Sequence, residues 1–101
     1  MLKNFRAYQA AGRFYHLCEA LKLPRHLKDQ LVRCSSSTAL QLAEGYGKTS
    51  FADKRKFYVG ALGEHRESQG VLDLARVKRA DVIDLADHLG GMIYKLTVWR
   101  P

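Results

Sequence analysis

A chain of 101 residues, 47% of them hydrophobic, fits one domain with its own core, and at that size association with copies of itself adds useful stability. No stretch approaches the roughly 20 apolar residues of a membrane span, and Met1 to Arg13 lacks the apolar run of a signal peptide, so a cytoplasmic protein without membrane contact is expected. The net charge of +7 lies wholly in residues 1–56, with 11 Lys and Arg against 4 acids, while residues 57–101 hold 6 of each; this asymmetry favours an acidic partner, nucleic acid foremost.

The spacing predicts a first helix over about 3–22, with Asn4 as its cap and Phe5, Tyr8, Gly12, Tyr15 and Cys18 recurring at three- and four-residue steps. Phe14, Leu17 and Leu21 widen that face. Leu23-Pro24 ends the segment, because the residue before proline avoids the helical region, and Pro24 suits the start of a second helix over about 25–44. Leu27, Leu31, Cys34, Thr38 and Leu42 form its apolar stripe. Ser35, Ser36 and Ser37 weaken its middle, leaving a serine-rich loop as the alternative, although the 3.6-residue period runs across them. Cys18 and Cys34 lack metal-ligand spacing and read as buried thiols.

Between Leu40 and Ser50 the chain turns. Gly45 and Gly47 offer the positive φ angles that close a helix, and Ser50 with Asp53 three residues on forms a capping box that opens the next, over about 51–76. Phe57, Ala61, His65, Ser68, Leu72 and Ala75 make its apolar line. Gly60, Gly63, Glu67 and Gly70 fall on a second line, and three glycines there imply close packing against another backbone or, alternatively, a kink. A fourth helix over about 81–99 turns Val82, Leu85, Ala86, Leu89, Ile93 and Leu96 inward, with Gly90-Gly91 marking a bend or a close contact. The sum is an all-α, antiparallel up-and-down four-helix bundle in a single domain.

Chemistry is sparse. A di-iron bundle needs Glu-x-x-His on two helices, and the chain contains none; His16 with Glu19 and Asp84 with His88 are single pairs. No metal, cofactor or catalytic residue is expected, and His65 reads as a core or interface histidine. The cations are more suggestive. Lys54, Arg55 and Lys56 occupy the start of the third helix, where the dipole disfavours positive charge, with Lys48 just upstream. Such a place invites an anion, and Tyr46, Phe51 and Tyr58 nearby offer rings for bases. Arg25, Lys28 and Arg33 extend the patch if the second and third helices expose compatible faces. The bland alternative is a solvated turn screened by Asp53 whose aromatics pack inward.

Leu42-Ala-Glu-Gly-Tyr-Gly-Lys-Thr-Ser50, Lys54-Arg-Lys-Phe-Tyr58 and Ala61-Leu-Gly63 with Glu67, together with the opening Asn4-Phe5-Arg6, carry a likeness. The chain resembles the bacterial four-helix-bundle proteins associated with intervening sequences in large-subunit ribosomal RNA genes. It departs from their pattern at Ser37-Thr-Ala-Leu-Gln41, which lacks the usual proline and asparagine, and at Gly63-Glu64. The resemblance implies a bundle that assembles into a ring, typically a homopentamer, with no catalytic residues. It also implies kinship with accessory proteins of diversity-generating retroelements, basic adaptors for a reverse transcriptase and nucleic acid. Glu44 and Glu67 match recurrent positions of the family, and each is read as structural, a carboxylate accepting hydrogen bonds from an arginine on a neighbouring helix. The expected function is therefore a non-enzymatic, oligomeric, basic bundle that binds nucleic acid through phosphates. The alternative is a protein-only self-assembling scaffold whose basic surface meets an acidic protein.

Overall fold

Proline and serine set two of the four helix starts. The computed structural model describes residues 2–100. After a 3-10 turn at Leu2–Asn4 come α1 (Arg6–Ala20), α2 (Arg25–Tyr46), α3 (Phe51–Leu74) and α4 (Ala80–Val98), and the described residues hold no strand. Pro24 precedes α2, and its carbonyl takes the first intrahelical bonds from Leu27 and Lys28. The Ser50 hydroxyl accepts the Asp53 N–H at 3.1 Å at the start of α3, one half of the expected capping box; the return bond from the Ser50 N–H to the Asp53 carboxylate is not made. Asn4 does not cap α1: it lies in the 3-10 turn, and Phe5 holds the N-cap position without a side-chain bond.

The glycine turn differs from expectation. Among the described residues no glycine has a positive φ, and Gly47 sits at −80°. Gly45 lies inside α2, and a Cβ there would stand 2.8 Å from the Tyr58 ring, so its service is space for the α2–α3 contact. The left-handed residue is Arg76 (φ 58°), which ends α3.

The helices alternate in direction. Gln30 and Arg33 of α2 meet Glu67 and Glu64 of α3, while at the other end Gly45 faces Tyr58. Arg55 reaches Thr97, and His65 reaches Ala86, so α4 runs against α3. Phe5 stacks on Tyr46 and Lys28 reaches Leu21, which sets α1 against α2, and α4 closes the ring on α1. The result is 41 Å long and 22 Å across.

Phe14, Leu31, Leu42, Leu72, Leu89 and Ile93 are fully buried at the centre. The buried side of α1 is Ala7, Ala10, Ala11, Phe14 and Cys18, rotated from the line through Tyr8, Gly12 and Tyr15. Alanine lets the neighbouring helices approach, while the two tyrosines stay half-buried. The serine run remains helical with Cys34, Ser35 and Thr38 buried in the packed face of α2, and its hydroxyls bond back to carbonyls, Ser35 to Val32 and Ser36 to Arg33. α3 passes unbroken through its glycines. Only Gly60 meets a neighbour, the Gln41 side chain, whereas Gly63 and Gly70 face open space. Gly90 is a close contact, filled by Arg66 and the His65 ring, and Gly91 is open.

Candidate nucleic-acid interface

Helix C-termini present carbonyls without intrahelical partners and carry partial negative charge. Several of the sequence-predicted cations turn out to serve them. The Lys54 Nζ lies 2.9 Å from the Tyr46 carbonyl and 3.4 Å from that of Gly45, closing α2. The Arg55 Nε donates to Thr97 O at 2.8 Å in the last turn of α4, and Lys28 donates to the Leu21 carbonyl at the end of α1. Cations at the start of α3, unfavourable for that helix alone, are thus placed beside the negative ends of its neighbours.

The others divide. Arg33 pairs with Glu67 at 2.6 Å and Glu64 at 3.3 Å, and Gln30 also donates to Glu67, so the arginine joins α2 to α3. Lys48 lies 3.5 Å from Glu44 and above the Phe57 ring, and Arg25 lies 3.5 Å from Asp29 on the open surface. Lys56 is exposed and makes no hydrogen bond or ion pair among the described residues. Of the rings, Tyr46 stacks on Phe5 at 4.6 Å and Tyr58 is buried. Phe51 is half-buried against Trp99.

Sequence reasoning missed a groove of about 700 Å³ between α1 and α4. Its cationic side chains are Arg6 and Arg13 from α1 and Lys95 from α4, with the His88 imidazole beside them. No carboxylate lines it. Phe5, Ala7, Met92 and Leu96 supply apolar lining, and Asn4 and Gln9 supply amides. Arg6 and Arg13 stand seven residues apart, as do His88 and Lys95, a separation of about 10.5 Å along a helix. Because α1 and α4 are antiparallel, the Arg6 level matches Lys95 and the Arg13 level matches His88. Such a trough suits a linear polyanion. The seven-residue spacing was visible on each helix, but only the fold brings the two rows together.

Charge is also polarised along the bundle. At the end holding the α1 start, the α2–α3 turn and the α4 finish stand Lys3, Arg6, Lys48, Lys54, Arg55, Lys56, Lys95 and Arg100, against Glu44 and Asp53. The opposite end mixes both signs, as in the Arg79–Asp81 pair at 2.6 Å.

Burial favours the neutral forms of the core titratable groups. Burial, and then its neighbour Cys34, pushes the Cys18 thiol up to about 12, and burial likewise raises Cys34, which accepts a hydrogen bond from Ser68. Burial lowers His65 below its ordinary value, against the opposing effect of its bond to the Ala86 carbonyl. No three His, Cys, Asp or Glu side chains converge among the described residues, and none of their helices is long and apolar enough to cross a membrane.

No curated protein and no solved structure was found to match the chain. The family model described as 23S rRNA-intervening sequence protein matches residues 4–97, nearly the whole bundle just described, and the chain belongs to that family.

Proposed function

We propose that this protein is a non-enzymatic RNA-binding bundle that holds phosphates along the α1–α4 groove. The observation that carries the reading is the groove itself, whose Arg6, Arg13 and Lys95 are exposed, without a hydrogen bond or ion pair among the described residues, and faced by no acid. Family membership supports an RNA-associated role. Contacts of this kind bind the backbone irrespective of sequence.

We propose further that copies associate through the outward face of α3, where Gly63 and Gly70 face open space and Val59 and Leu74 are exposed. The ring the resemblance implies, a pentamer, would be built on that face.

Binding to a single-stranded RNA is expected to weaken steeply with salt. Each phosphate contact on a single strand contributes about 0.7 to the slope of log K against log salt, so Arg6→Glu with Arg13→Glu and Lys95→Glu lowers the slope by about 2. An unchanged slope removes the groove. Absence of binding even at low salt selects a protein-only scaffold.

A further inference from the structure

Trp99 is the chain's one tryptophan, and 58% of it is exposed. It follows directly on α4, one turn past Lys95, whose carbonyl takes the Trp99 backbone N–H. The groove lining ends at Leu96, and Trp99 stands past that end with its ring leaning on Phe51 of α3. Its ring lies 5.8 Å from Phe51 at a tilt of 49°, and the Arg100 guanidinium sits 5.6 Å from the centre of that same Phe51 ring. Arg55, bonded to the Thr97 carbonyl, ties the end of α4 to α3. A large apolar ring is thus held in place at the cationic end of the molecule with much of its surface uncovered.

We infer that Trp99 is a stacking platform for an unpaired base, and that the substrate class of the groove is single-stranded RNA rather than duplex. The inference rests on the groove reading proposed above. Duplex bases keep their faces covered by one another, so only an unpaired or terminal base can lie on an indole. A furrow between two adjacent helices, whose axes stand about 8–10 Å apart, takes one strand at its floor. Backbone phosphates at Arg6 and Lys95 would leave the next base at Trp99. Charge selects the polyanion, and the exposed ring distinguishes a strand with free bases from a duplex or a bare polyphosphate.

The single tryptophan makes the test direct. Its fluorescence is followed while a ten-nucleotide oligoadenylate, a linear polyphosphate of matching length and a blunt RNA duplex are titrated separately. The oligoadenylate is expected to quench saturably. The polyphosphate binds with salt sensitivity but without quenching, and the duplex quenches little. Trp99→Leu lowers oligoadenylate affinity about tenfold at fixed salt and leaves polyphosphate affinity unchanged, while Trp99→Phe restores most of the loss. Equal affinity of the parent and Trp99→Leu for the oligonucleotide overturns stacking and leaves the groove standing. If neither polyphosphate nor oligonucleotide binds, the groove reading falls with it. A change in the mass of the assembly in Trp99→Leu, without loss of RNA affinity, instead makes Trp99 an association residue and overturns the platform.

Discussion

His65 shows what a polar residue at the centre of a small bundle must satisfy. It lies on the apolar line of α3, as its spacing indicates, and is fully buried. Its Nε2 donates to the Ala86 carbonyl at 2.7 Å, which leaves Nδ1 as an unprotonated nitrogen with no partner among the described residues. Phe14 presses edge-on against the ring, 5.2 Å between centroids. A proton on Nδ1 would put a charge in the core with no acceptor among the described residues. Burial accordingly lowers the pKa, and the Arg66 charge adds to the effect while Asp87 opposes it. The unfolded chain takes up a proton near pH 6.5 and the folded chain does so only below that, so stability is intact above 6.5 and falls as pH drops beneath it, by up to about 1.4 kcal/mol per pH unit. Melting temperatures between pH 7.5 and 5.5 should fall more steeply for the parent than for His65→Gln, which keeps a donor for Ala86 but does not titrate. Parallel curves would show that another group governs the acid side. The position of His65 was legible in the sequence, but its acceptor was not, because Ala86 belongs to a different helix 21 residues away.

Helix ends are where sequence and structure diverge most instructively. The four helices lie within about three residues of their periodicity-based limits, since burial on one face fixes period and length. The Ser50 cap was likewise readable, because its acceptor and donor are three residues apart. C-termini are another matter. Cations from elsewhere in the chain close α1, α2 and α4, and the distance from Arg55 to Thr97 in sequence hides that pairing from any local pattern. α3 ends instead in a Schellman turn, with Val77 N–H to Leu72 O at 3.0 Å and Arg76 N–H to Asp73 O at 3.0 Å. That geometry forces Arg76 to φ 58°, a conformation that costs an L-residue roughly 1–2 kcal/mol and glycine little. Part of the gain is returned through the freer unfolded chain, so Arg76→Gly should stabilise by about 0.5–1 kcal/mol and raise Tm by about 3–6 °C. Arg76→Ala, still left-handed with a Cβ, should gain nothing. If both variants melt alike, strain at residue 76 is not what limits this helix end.

At the scale of the whole molecule, chain halves become bundle ends. The sequence locates the excess charge in residues 1–56, but folding carries Lys95 and Arg100 from the balanced half to the cationic end and turns Lys28 and Lys54 onto carbonyls. A second asymmetry runs along the outside of α3. Gly60 is accounted for by Gln41, yet Gly63 and Gly70 touch nothing, and Leu74 is 71% exposed. Glycine within a helix costs roughly 1 kcal/mol relative to alanine, and the single chain returns nothing for it at these two positions. This contrast makes Gly63→Arg decisive for self-association. In a monomer the new side chain points into open space and replaces a poor helix former with a good one, so Tm should hold or rise. Where copies pack helix to helix across Gly63, the same substitution inserts a long cation between backbones, and both the mass of the assembly in solution and Tm should fall. Sedimentation of the parent and Gly63→Arg at matched concentration separates the two cases. Gly63→Ala, with far less bulk, should weaken association less while gaining the same helical propensity. An unchanged mass in both variants would move the interface away from α3.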